Sequence, residues 1–402
     1  MLDVIVCILI FIVGINLKNW FRGFDAYDKN ILTWLFLWHI LVGIGYILYT
    51  AISGGGDAWG YWDIPKYEGW DIVLQSIHNG SASGYIFLIN YFPSKVLNLS
   101  FFTGSMMYVL LGYTGLVYLY KIIKETLPNY RVLQNVRVLG IPVFPYFLFL
   151  PNTNFWTSGL GKDTIIFFSI IIFIYALKNI KKRYGYIIIA TLLSAFIRPH
   201  ILLFLFTSFG LATTFDVKIK AYTKVFLYIV FISLFLVLLP RVMAFVNIES
   251  LDTDTIETYA DKQAGALAHK AGTGSSIDIS NYPYPLKVFT FLFRPLFVDM
   301  PTVFGIIASV ENLIFLIFFL KVIRRRPISG FWRGNITTKA LLFFFIIGSL
   351  IFPLILGNLG IILRQKNPFV VAFIIFGYWS LINYYTTNIT KSKEHLENIA
   401  LY

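Results

Sequence analysis

Solid apolar blocks recur along the chain, separated by short polar or basic stretches; 225–239 and 340–350 hold almost no polar group. Blocks of this length and purity predict membrane-crossing helices, because a helix hides its own backbone polar groups from lipid. The pattern predicts roughly eleven spans. They fall at 2–17, 31–52, 101–120, 139–150, 164–177, a pair of short helices within 186–215, 225–245, 302–320, 340–357 and 369–385. Pro142 and Pro145 predict a kink in the fourth. Arg198-Pro199-His200 interrupts 186–215 and predicts a hairpin with that tripeptide at its tip. Two apolar pieces, 83–92 and 286–298, are too short to span and are expected in the interface. A β-barrel is excluded, since it would show alternating segments instead of solid blocks.

Composition agrees: 57% of residues are hydrophobic and 13% charged, about half the charged share of a soluble domain. The fold class expected is an all-α polytopic bundle forming one integral-membrane domain over 1–402. Its outer loops fall at 53–83 and 247–285, and a tail at 388–402. The first apolar run lacks a basic n-region and a small-residue cleavage site, so it reads as a retained helix. The single cysteine, Cys7, excludes an intramolecular disulfide.

The net charge of +13 does not form a stripe on a soluble domain. Its Lys and Arg punctuate the apolar runs, which is a topology signal and not a nucleic-acid footprint. Placing Lys18, Lys121, Lys178, Lys218, Arg324 and Lys391 in the cytoplasm lets every span alternate. The amino terminus is then outside and the carboxy terminus inside, with most acidic residues outside.

This topology gathers Asp57, Lys162, Asp163, Arg198, His200, Arg294, Arg364 and Lys366 on the outer face. The adjacent Lys162 and Asp163 close the stretch PNTNFWTSGLGKD between two apolar runs. One reading is a helix start, with Asn154, Thr157 or Ser158 as cap and Asp163 favouring the helix dipole. The other is a polar site at the membrane face, where charges are costly and usually functional. Each cation has both readings: Arg198 as a snorkelling end residue or a ligand, Arg294 as an interfacial anchor or a ligand, Arg364 and Lys366 as loop charges or ligands. Glu311 is an intramembrane acid, with Asn312 beside it. SGLGKDT imitates a phosphate-binding loop, but Trp156 stands where its first glycine belongs and Asp163 replaces the Ser/Thr. No Cys/His spacing points to a metal, and no motif points to a cofactor.

Four features together resemble the multispanning O-antigen and capsule repeat-unit polymerases of bacterial surface-polysaccharide pathways. They are the FW…GKD stretch, Arg198-Pro199-His200, the FRPLF segment around Arg294, and GNLG…R…NP around Arg364. The resemblance implies a GT-C-like fold in the bacterial inner membrane and an outer-face site joining undecaprenyl-pyrophosphate-linked oligosaccharides. It implies a flippase and a chain-length regulator as partners, and no nucleic acid. Lys162, Arg198, Arg294 and Arg364 would bind pyrophosphate; Asp57 and His200, then Asp163, would be candidate bases. Trp59, Tyr61, Trp62 and Trp70 are candidate sugar platforms or interfacial anchors. The chain departs from the family in having one long outer loop and an early GGGDAWGYW segment. Its Asp57 is similar to the first-loop acid of single-sugar GT-C transferases, which leaves that alternative open. A flippase or an export scaffold is the non-enzymatic alternative.

Overall fold

The computed structural model describes residues 1–216, 219–246, 277, 279, 282–300 and 302–399. It is a helical protein whose packing divides into two compact units, residues 1–121 with 147–202, and residues 122–146 with 203–402. Among the described residues seven helices are long and apolar enough to cross a membrane. The expected membrane-protein class is therefore met.

The first unit opens with α1 (Leu2–Trp20) and α2 (Ala26–Ile52). Asp25 and Asp28 start α2 with a reciprocal capping box. Asp28 is fully buried and accepts a hydrogen bond from Tyr120 at 2.9 Å. The outer loop expected at 53–83 carries two short helices, α3 (Gly56–Tyr67) and α4 (Trp70–His78), and the short apolar piece expected at 83–92 forms α5 (Ala82–Tyr91). The physical reason lies in Gly54, Gly55 and Gly56, all at positive φ, which confine the turn to the glycines and free DAWGYWDIPKY to coil.

Next come α6 (Phe101–Thr126), α7 (Pro151–Ser158), α8 (Lys162–Leu177) and α9 (Ile180–Ile197). Helix α6 begins in this unit and lies against α7 at Gly112. A Cβ there would sit 1.8 Å from the Thr157 carbonyl oxygen, so the two backbones touch. His39 of α2 joins the same seam through Nδ1, 3.0 Å from Asn154 Oδ1.

The stretch 139–150, whose part up to Tyr146 belongs to the second unit, is not the kinked helix expected. An antiparallel hairpin, β1 (Arg137–Val138) with β2 (Ile141–Pro142), runs into it, followed by one helical turn at Val143–Tyr146. Leu139 and Gly140 turn the hairpin at φ 48° and 80°, and the prolines withhold the donors a helix needs. Tyr378 pins this segment, its hydroxyl donating to the Val143 carbonyl at 2.5 Å.

The chain continues through α10 (Pro199–Thr214), α11 (Ala221–Val246), α12 (Tyr284–Phe293), α13 (Val303–Arg324), α14 (Pro327–Arg333), α15 (Ile336–Ile351) and α16 (Leu359–Ile399). The interruption expected inside 186–215 falls at Arg198, between α9 and α10. Helices α8 and α10 have 16 residues each, about 24 Å against a hydrocarbon layer of about 30 Å. The expected loop 357–368 and the tail to residue 399 are both absorbed into α16. Asn358 starts that helix by accepting from the Ile361 N–H at 3.1 Å. Most of the acidic loop expected at 247–285 lies outside the described residues.

Phenylalanine fills the core of this unit. Phe369 enters against α15 where Gly348 leaves room; a Cβ there would meet the ring at 2.3 Å. Phe345 and Phe373 approach to 4.5 Å between centroids, a separation at which aromatic pairs attract.

Candidate functional site

The polar residues of the first unit meet where α8 begins. Gly161 precedes that helix at φ 150°, and a Cβ would press to 3.2 Å from the Tyr61 ring. Only glycine suits both the torsion and the space. Lys162 follows as the first residue of α8. Its Nζ donates to Ser83 Oγ at 3.0 Å and lies 5.5 Å from the Tyr61 ring centroid, within cation–π range. Ser83 sits in the first turn of α5, which Ser81 caps.

Asp163 is next to Lys162 and takes Arg198 Nη2 at 2.6 Å on Oδ1. The two side chains keep 16% and 10% of their surface exposed, for Asp163 and Arg198, so the pair is partly withdrawn from solvent. Arg198 ends α9; its own N–H donates to the Ser194 carbonyl at 2.9 Å. Pro199 starts α10 as the residue type best suited to a first helical turn. His200, half-buried, follows in that turn. Tyr85 of α5 stacks on Phe196 of α9 at 4.7 Å, holding the Ser83 turn beside the Arg198 break.

None of the three expected caps serves α8. Asn154 donates to the Leu148 and Leu150 carbonyls, Thr157 to the Thr153 carbonyl, and Ser158 to the Phe155 carbonyl. They stabilise α7 and its seam, and α8 begins at Gly161 without a side-chain cap.

Asp57 is exposed in the first turn of α3, one helical turn before Tyr61 and on the same face. Of the expected aromatic platforms, Tyr61 meets the cluster, its ring facing Lys162 Nζ. Trp62 is buried against Gly104, Trp59 stacks on Phe101 at 4.5 Å, and Trp70 meets Tyr91 edge-on at 5.0 Å. Those three pack the helices together.

The second unit holds Arg294, Arg364 and Lys366. Arg294 forks Asp299, through Nε at 2.9 Å and Nη2 at 2.5 Å. Asp299 also accepts from the Leu296 N–H at 2.6 Å. The guanidinium holds the Asp299 carboxyl below its ordinary range, and Asp299 in turn raises Arg294. Lys366 is not a loop charge. It is 2% exposed inside α16 and donates to the Leu292 and Arg294 carbonyls and to Asn312 Oδ1. Arg364, half-buried, stands two residues earlier and so on another face of the same helix. Glu311 and Asn312 lie buried in the middle of α13.

Within the first unit the structure thus pairs Asp163 with Arg198 and ties Lys162, the residue before Asp163, to Ser83; within the second it joins Arg294 and Lys366 through the backbone. The sequence reading missed Ser83, which carries no motif. It also missed Asp299, whose signal was its spacing of five residues after Arg294 across a proline. No family model matches the chain, and no curated protein or solved structure matches it significantly.

Proposed function

We propose that the chain is a membrane glycosyltransferase of the polymerase type, joining glycan repeats carried on a polyprenyl pyrophosphate at the extracytoplasmic face of a bacterial inner membrane. The observation that carries this reading is the cluster in the first unit. Arg198, at the end of α9, is paired with Asp163 in the first turn of α8, and Lys162, the residue before Asp163, is held by Ser83 and the Tyr61 ring. Cations of this kind suit a pyrophosphate, since a guanidinium can fork phosphate oxygens and an ammonium adds a point charge. The α8 and α10 N-termini add partial positive charge at the same place.

In the proposed reaction an acceptor hydroxyl attacks the anomeric carbon of the lipid-linked glycan. The glycosidic bond to pyrophosphate breaks, and the leaving group takes the bonding electron pair. Lys162 and Arg198 stabilise the charge that develops on it. Asp163 keeps Arg198 oriented. Asp57 or His200 removes the acceptor proton, and a nearby carboxylate favours the oxocarbenium-like transition state. Arg294 is left out of the ligand set, because Asp299 already occupies the Nε/Nη2 edge with which it would fork a phosphate. Arg364 remains a second-unit candidate.

The test is complementation of a deletion strain with Arg198→Ala and Lys162→Ala, with membrane abundance checked. Single repeat units left on the lipid support a polymerase. A truncated lipid-linked sugar favours the single-sugar transferase suggested by Asp57. Normal long glycans from both variants overturn the site.

A further inference from the structure

Lys366 is among the most buried residues of its unit, yet its amine is fully engaged. Three oxygens surround Nζ: Asn312 Oδ1 at 2.7 Å, the Arg294 carbonyl at 2.9 Å and the Leu292 carbonyl at 3.2 Å. All three only accept. A neutral amine has two N–H groups and a lone pair that would face the third oxygen. Three acceptors therefore call for the ammonium form.

The two carbonyls belong to the end of α12, where the last turn leaves its C=O groups without helical partners and the dipole is negative. Lys366 caps this end from another helix. Asn312 completes the clamp, its Nδ2 donating to the Pro295 carbonyl at 2.7 Å. Glu311 lies beside Asn312, also buried. The backbone of Arg294 and Pro295 is thus held from both sides, which fixes the direction in which Arg294 leaves toward Asp299.

Carbonyl and amide oxygens at this range from a single positive centre form the coordination shell of a small monovalent cation. We propose that Lys366 fills a monovalent-cation cradle with a tethered ammonium, and that the cradle accepts free ammonium or methylammonium once the tether is cut. The cradle has this property whatever reaction the chain performs.

The experiment uses the full chain in detergent and reads its melting temperature in matched chloride salts. Lys366→Ala melts lower than the parent by about 5 °C or more, because it leaves buried acceptors unmatched. Ammonium or methylammonium chloride recovers at least half of that loss, and tetramethylammonium chloride, too large and without N–H, recovers none. Lys366→Met fills the tether space without a donor, so it melts low and stays low in every salt. Equal melting of Lys366→Met and the parent overturns the proposal, as does a Lys366→Ala that no small amine restores. If Lys366→Ala does not accumulate, Asn312→Leu and Asn312→Asp decide. Asn312→Asp keeps the acceptor for Lys366 and gives up the donor to the Pro295 carbonyl, so it melts below the parent and above Asn312→Leu, which gives up both. The reverse order overturns the cradle.

Discussion

Arg198 and Asp163 stand 35 residues apart in the chain and meet at 2.6 Å, where one helix ends and another begins. Each would be costly near lipid alone, and together they make a partly shielded pair whose removal on one side strands the other. The proposed reaction uses the charge of Arg198 and the orientation Asp163 gives it.

Arg198→Lys keeps the charge and loses the planar fork. Its expected activity is well below the parent, by about tenfold or more, since an interaction with a charged group is worth roughly 1.5–3 kcal/mol. Glycan chain length at matched membrane abundance checks it. Full activity of Arg198→Lys would leave only a point charge at that position.

Asp163→Asn keeps the shape and removes the charge. The expected outcome is a larger loss of product than for Ser83→Ala, which deletes one contact of about 1 kcal/mol. Product yield from both variants in one strain background gives the comparison.

Gly161→Ala places a Cβ on a backbone at φ 150° and against the Tyr61 ring. Strain of about 1–3 kcal/mol is expected, with Lys162 displaced. A melting curve and a glycan gel together check this; Gly60→Ala, whose Cβ would meet only Ile64 at 3.8 Å, is the control.

The Arg294–Asp299 pair carries a pH signature. Asp299 has a lowered folded value relative to its ordinary 3.8, so the folded state binds its proton less readily than the unfolded state. Its contribution is present above about pH 4 and is lost as the pH falls through the lowered value. Asp299→Asn should therefore melt below the parent at neutral pH, with the gap narrowing as the pH falls below the ordinary carboxylate value of 3.8. A gap that stays constant across that range sinks the assignment.

Much of this is legible in the sequence. Arg198-Pro199-His200 marked a helix break because proline cannot continue α9, and the apolar blocks marked most long helices. The failures share a cause. Gly357, Asn358, Gly360 and Pro368 look like loop punctuation, yet Asn358 caps α16 and Lys366 is fixed by bonds to α12 and α13 that sequence does not display. Residues 139–150 look helical by hydropathy, but the left-handed turn at Leu139 and Gly140 is a backbone fact. The partners Ser83 and Asp299 are ordinary polar residues whose meaning comes from what they face.

The backbone contact at Gly112 has a mechanical consequence. Helix α7 is seated on α6 with no side chain between Gly112 and Thr157, so it cannot slide without prising the bundle open. Lys162 and Asp163 begin only three residues beyond it, across Gly159, Leu160 and Gly161. That short glycine-flanked arm ties the two charges to the seam, so where the seam sits sets where they sit.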